Sequence, residues 1–116
     1  MTPELISHGG SAVEGLVFSQ QFDQNSTAPD YRRFKSDYRN RFGNEPNFAS
    51  VHAYDAVRVI LEALSIDSDP DNLKDTIIAK GDFSGLQGDF QIDRYGDTFF
   101  RRILLTITDG KFTRID

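Results

Sequence analysis

The 116-residue sequence contains no cysteine. That excludes disulfides, zinc–thiolate centres, iron–sulfur clusters and thiol catalysis. It leaves the compartment open, because proteins of oxidising compartments also do without cysteine. Histidine is nearly as scarce, with only His8 and His52. Far apart in the chain, they are read as solvent-facing or singly hydrogen-bonded groups rather than a metal pair. No apolar run approaches the ~18 residues that would span a bilayer. The opening Met1-Thr2-Pro3-Glu4-Leu5-Ile6-Ser7-His8 has neither a basic region nor an apolar core, so it does not read as a signal peptide. Basic residues are also in deficit, 13 against 18 acids, for a formal charge of −5. A surface of that sign repels a phosphate backbone, so nucleic acid is a poor partner.

What is present is an aromatic core. Ten Phe and four Tyr stand among 38% hydrophobic residues. A chain of this length buries roughly 65% of its unfolded surface, enough for one small domain. The first eleven residues end in Gly9-Gly10-Ser11 and read as a tail or loop. Glu14 to Phe22 reads as a strand, with Leu16, Phe18 and Phe22 on one face. Thr27 is placed to cap a helix from Ala28, with Pro29 and Asp30 in its first turn. Tyr31, Phe34, Tyr38 and Phe42 then form one aromatic stripe, and Gly43 ends the helix. Asn47 is the expected cap of a second helix reaching about Ser65. Its expected inner face is Ala53, Tyr54, Val57, Ile60, Leu61 and Leu64, widened by Val51, Ala56 and Val59. A face that wide predicts burial on more than one side.

Ser68 or Asp69 should cap a third helix, with Leu73, Ile77 and Ile78 inside and Gly81 at its end. The remainder reads as β: a turn between Gly85 and Gly88, a short strand at Phe90–Ile92, a turn over residues 93–97 and a strand from Phe99 to Thr108. Asp109-Gly110 is a favoured hairpin turn that sets Ile107 opposite Phe112 and Leu104 opposite Ile115. The order β-α-α-α-β-β-β with a C-terminal hairpin is an α+β arrangement.

The sequence offers little chemistry. There is no Gly-x-Ser-x-Gly elbow and no phosphate-binding glycine loop; Gly81 to Gly88 read as turns. Asp67, Asp69, Asp71 and Asp75 imitate a calcium loop, but the central glycine and closing glutamate are missing and Pro70 interrupts the path. Acids at a helix start are explained by the helix dipole alone. Arg32, Arg33, Lys35, Arg39 and Arg41 crowd one helix and read as a solvated face, with Asp37 placed to pair with Arg33 and Arg41. No catalytic residue, metal ligand or cofactor site emerges, and no enzyme activity is expected.

Several segments, in order, resemble a known family. They are Ala12-Val13-Glu14-Gly15-Leu16-Val17; Phe34 and Tyr38 leading to Arg41-Phe42-Gly43-Asn44-Glu45-Pro46; Ala53-Tyr54-Asp55-Ala56-Val57 with Leu61-Glu62-Ala63-Leu64; and Phe83-Ser84-Gly85-Leu86-Gln87-Gly88-Asp89-Phe90-Gln91-Ile92-Asp93, ending at Tyr95-Gly96-Asp97. Together they are similar to the C-terminal part of the type I periplasmic solute-binding proteins, the branched-chain amino-acid (Leu/Ile/Val) binding proteins of ABC importers in particular. The resemblance implies that residues 12–116 are a fragment of a two-lobe α/β fold whose ligand lies in a cleft between lobes. The family's main ligand anchors would lie upstream of this chain. Gln21 and Phe22 would sit near the last crossover between lobes, and Phe48 and Ala49 near the cleft. The implied partners are an amino acid, bound only with the missing lobe, and a membrane permease; the implied location is periplasmic or extracellular. Uncovered strand edges and apolar faces would favour a homodimer, through those edges or through exchanged elements. A ligand-sensing receptor ectodomain and a cytoplasmic self-associating module are the alternatives.

Overall fold

A computed structural model describes residues 4–116. The chain divides into two compact units, Met1–Asp23 with Arg102–Asp116, and Gln24–Arg101.

The first unit joins the two ends of the chain. Its helix α1 (Glu4–Gly9) and a 3₁₀ turn (Gly10–Val13) replace the expected tail or loop. Residues 1–3 of that stretch lie outside the described residues. Gly9 and Gly10 end a helix there rather than mark a continuous loop. Glu4 in its first turn and His8 in its last both complement the helix dipole. The strand expected from Glu14 is shorter, β1 at Val17–Gln20. It pairs antiparallel with β5 (Ile103–Thr108), which pairs with β6 (Lys111–Arg114), in the order β1-β5-β6.

The hairpin has the expected register, with Ile107 opposite Phe112, and the Ile115 amide donates to the Leu104 carbonyl at 3.0 Å. Asp109 and Gly110 both have positive φ, 50° and 66°, which suits the strand twist. The Glu14 carboxylate accepts from both of their amides, at 2.6 and 3.3 Å. Ile103, Leu105 and Ile107 alternate into the core, and Phe18 meets Phe112 edge-on at 5.8 Å. Val17, Leu104 and Ile115, on the opposite face, are exposed.

The second unit is continuous in sequence. Helix α2 is Pro29–Phe42, α3 is Phe48–Ile66, and a 3₁₀ turn (Pro70–Asn72) leads into α4 (Leu73–Lys80). Strands β2 (Asp82–Gly85), β3 (Gly88–Ile92) and β4 (Thr98–Phe100) form an antiparallel sheet in that order. Val59 of α3 packs on Phe83 and Phe90, with Ile77, Ile92 and Phe100 around them.

Three expectations change here. Ala28, not Thr27, is the N-cap of α2, because Pro29 holds the preceding residue extended; the Ser26 hydroxyl accepts from the Ala28 amide. The long strand from Phe99 breaks at Arg101-Arg102, and β4 and β5 join different sheets. Two adjacent charged side chains cannot both avoid a covered strand's apolar faces. In α3 the buried residues are Val51, Asp55, Val59 and Ala63, whereas Tyr54, Val57, Ile60 and Leu61 are exposed. The richer apolar face is therefore not the one that the chain itself covers.

Candidate functional site

The start of α3 is held by reciprocal hydrogen bonds. The Asn47 side chain accepts from the Ser50 amide at 3.1 Å, and the Ser50 hydroxyl accepts from the Asn47 amide at 2.9 Å. This capping box satisfies donors that the first turn would otherwise leave bare. It also fixes Phe48 and Ala49 as the opening residues of the helix. Both are exposed, Phe48 to 41% of its full accessible surface.

Behind Phe48 runs a row of rings. Phe48 meets His52 edge-on at 6.5 Å, and His52 meets Phe100 at 5.6 Å. Phe100 stacks on Phe90 at 4.5 Å, and Phe90 stacks on Phe83 at 5.8 Å. His52 is thus a half-buried spacer between two phenyl groups rather than a solvent-facing side chain. Such ring pairs add about 0.5–1.5 kcal/mol each beyond area burial, so the row ties the exposed ring to the core.

Gln21 and Phe22 follow β1 in the first unit. The Gln20 side-chain amide donates to the Phe22 carbonyl at 2.5 Å, and Asp23 pairs with Arg114 of β6 at 3.8 Å. Gln21 is exposed, while the Phe22 ring is buried. Of these two side chains, only Gln21 is open to solvent.

Asp55 was missed as a positioning group. It is 5% exposed, and its Oδ1 accepts from the Leu86 amide at 3.0 Å. Burial pushes its carboxyl above the ordinary value of 3.8, opposed by the Leu86 hydrogen bond and then by Arg58 and His52. A Cβ at Gly85 would stand 2.8 Å from Oδ2, so the β2–β3 turn can approach Asp55 only with glycine there. Asp55 thereby pins that turn to α3. The sequence displayed both halves, in Tyr54-Asp55-Ala56-Val57 and Gly85-Leu86-Gln87-Gly88, but no local pattern joins residues so far apart.

An open groove of about 700 Å³ runs between α2 and α3. Phe34, Tyr38, Phe42 and Tyr54 line it beside Arg33, Arg41 and Arg58. The aromatic stripe on α2 is continuous, with Phe34–Tyr38 at 5.7 Å and Tyr38–Phe42 at 4.6 Å, and Phe34 reaches Tyr54 at 5.0 Å. Tyr31, at the head of the stripe, is 1% exposed. Three of the basic residues of α2 have partners other than Asp37. Arg33 pairs with Asp30, and Arg39 and Lys35 both reach Glu45. Glu45 can do so because Gly43, at φ 73°, turns the chain back beside the last helical turn.

Among the described residues, no group of three or more His, Asp or Glu is placed to hold a metal ion. His8 lies in the first unit and His52 in the second. The Asp67 and Asp69 carboxylates accept from backbone amides of the 67–71 turn, and Asp67 also accepts from the Asn72 side chain. These contacts make the acidic run a helix-start device. No helix among the described residues is long and apolar enough to cross a membrane.

Residues 1–109 match a family model described as periplasmic binding protein. A Rhodospirillum rubrum protein assigned as a branched-chain amino acid ABC transporter has a TM-score of 0.83 and 28% identity, over 99% of this chain and 34% of its own. A leucine binding protein from Thermotoga maritima has a TM-score of 0.81 and 29% identity, over 99% of this chain and 34% of its own. An ABC transporter substrate-binding protein from Desulfitobacterium hafniense, in complex with Leu, has a TM-score of 0.79 and 25% identity, over 94% and 33%. The chain therefore spans about a third of the length of these structures. No curated protein matches it.

Proposed function

The chain belongs to the periplasmic binding protein family, and on that premise we propose that it is a non-catalytic part of the solute-binding component of an ABC-type importer, with an amino acid as the solute. The observation that carries this reading is joint likeness in fold and sequence to a leucine-binding protein across nearly the whole chain. The residues are consistent with a binder: an exposed ring, Phe48, on a capped helix start and an exposed side-chain amide, Gln21, with no nucleophile–base pair among them.

In this reading, residues 12–116 are the C-terminal segment of a longer two-lobe protein. Phe48 and Ala49 contribute an apolar ligand contact from the capped turn of α3. Gln21 contributes a polar one, with the Phe22 backbone beside it. The complete protein closes on its ligand by a hinge motion and passes it to a membrane permease, in the periplasm or outside the cell. Alone, the chain holds only part of a pocket. Its sheets end in the edges β1 and β6, and β2 and β4. It self-associates through such edges, as a homodimer by pairing or by exchange of elements.

The test is a graft in which this chain replaces the matching third of the Thermotoga maritima leucine binding protein. The graft binds leucine or another branched-chain amino acid, and Phe48→Ala weakens binding at least about tenfold. A graft that folds and binds none of them overturns the reading. Leucine titrated into the isolated chain gives no micromolar binding, and light scattering gives a mass above one 13.1 kDa chain. A micromolar site overturns the incomplete pocket, and a monomer overturns the dimer.

A further inference from the structure

Strand β4 is an outer strand of the second unit's sheet. Two hydrogen bonds fix which of its backbone groups face the open edge. The Ile92 amide donates to the Gly81 carbonyl at 2.7 Å, and the Asp93 amide donates to the Asp97 carbonyl at 2.9 Å. In an antiparallel ladder the N–H and C=O of one residue point to the same neighbouring strand, and that direction alternates along the chain. Gln91 therefore points the way Asp93 does, toward β4, and forms a hydrogen-bonded pair with Phe99 opposite it. The amides and carbonyls of Thr98 and Phe100 point the other way, out of the sheet. Side chains alternate as well, between the two faces. Phe100 stacks on Phe90 at the inner face. Asp97, Phe99 and Arg101 share the outer face, all three exposed, Phe99 to 61%. Among the described residues, neither the Asp97 carboxylate nor the Arg101 guanidinium takes part in an ion pair.

We infer that this edge binds the same edge of a second copy, β4 antiparallel to β4 about a twofold axis at Phe99. The inference rests on the homodimer of the proposed function and names the segment that makes it. In that register Thr98 lies opposite Phe100 of the second copy, so the outward amides and carbonyls of each strand meet their partners in the other. Phe99 faces Phe99 of the second copy at a non-hydrogen-bonded position, where cross-strand side chains come closest. Asp97 faces Arg101 of the second copy, and the axis repeats that pair. Parallel strands would set Asp97 against Asp97, so the charges select the antiparallel arrangement. The other edges lack this match. Paired with itself, β6 would set Lys111 against Arg114; β2 carries Asp82 and no base; β1 carries no charge. Through β4, two three-stranded sheets become one continuous sheet.

The test reads the dimer dissociation constant of the full chain by analytical ultracentrifugation. The wild-type protein sediments as a dimer of 13.1 kDa chains. Asp97→Arg and Arg101→Asp each set like charges across the axis twice, and each raises the constant about tenfold or more. Mixed in equal amounts, the two variants meet opposite charges again and form a heterodimer about as tight as the wild-type dimer. The double variant, with both changes in one chain, recovers its homodimer in the same way. Recovery in the mixture also shows that both single variants are folded. A dimer indifferent to both single changes overturns the inference and leaves the homodimer to another edge or to exchanged elements. Single variants that dissociate and recover neither in the mixture nor in the double variant overturn it too. A monomeric wild-type chain overturns the inference and the homodimer together. The importer reading is judged separately, by leucine binding to the graft.

Discussion

The two units each carry a three-stranded antiparallel sheet, yet they are assembled in opposite ways. The second is one uninterrupted stretch, Gln24–Arg101, with three helices and a stacked Phe core. The first is made from the chain's two ends, and its sheet depends on β1 meeting β5, Val17 opposite Thr106. Closing so long a loop costs entropy before any strand contact is made. The continuous unit can form by local steps, whereas the split unit waits until the intervening chain has compacted. On this argument the continuous unit is expected to form first and the split unit to depend on it.

The sharpest way to break that asymmetry is Phe90→Ala, which removes the centre of the ring stack at a cost of about 3–5 kcal/mol. Hydrogen exchange should then show protection lost in both units; a first unit that stays protected would refute the dependence. Ile107→Ala in the first unit costs about 2–4 kcal/mol. It should expose amides of β1, β5 and β6 while β2, β3 and α3 keep theirs.

Asp55 tests what holds the second unit's turn to its helix. Asp55→Ala leaves the buried Leu86 amide without its acceptor and costs about 1–3 kcal/mol, read from urea midpoints. Asp55→Asn keeps an acceptor and no charge. Because burial raises the Asp55 pKa, its folded form favours the proton. Its contribution to stability is full below the ordinary 3.8 and is lost as pH rises through the raised value. The stability of Asp55→Asn relative to the native chain should therefore grow from pH 3.5 to pH 7. A gap that shrinks over that range would contradict the burial. The smallest effect is expected at the first unit's hairpin. Glu14→Ala removes the acceptor of the Asp109 and Gly110 amides, both exposed, and should cost about 0.5–1.5 kcal/mol without changing the exchange pattern of the second unit.

The same contrast separates what was legible in the sequence from what was not. Signals acting over a few residues read correctly: the Asn47 cap, Gly43 as a terminator, the Asp109-Gly110 turn with its register, and the ring stripe on α2. Other readings failed because they depend on what lies across space or on an element too short to carry a pattern. Hydropathy ranks the faces of α3 by apolar content, but the covered face is the one with a sheet beside it. The Arg101-Arg102 break hides inside a run that looks like one strand, and Asp55 meets Leu86 only after folding. Helix α1 carries too few turns to show a period. For the candidate site, Phe48 and Ala49 entered through the resemblance, and the local cap accounts only for where their helix begins. The inward ring of Phe22 and the spacer role of His52 depend on packing that a linear pattern does not contain.

The imidazole of His52 lies between two phenyl groups and is one of only two in the chain. Ring currents of those neighbours should shift its proton resonances, which an NMR spectrum would distinguish from those of His8. A change in the tilt of the Phe48 side chain should move those lines, so the imidazole is an unlabelled spectroscopic gauge of the ring's orientation at the start of α3.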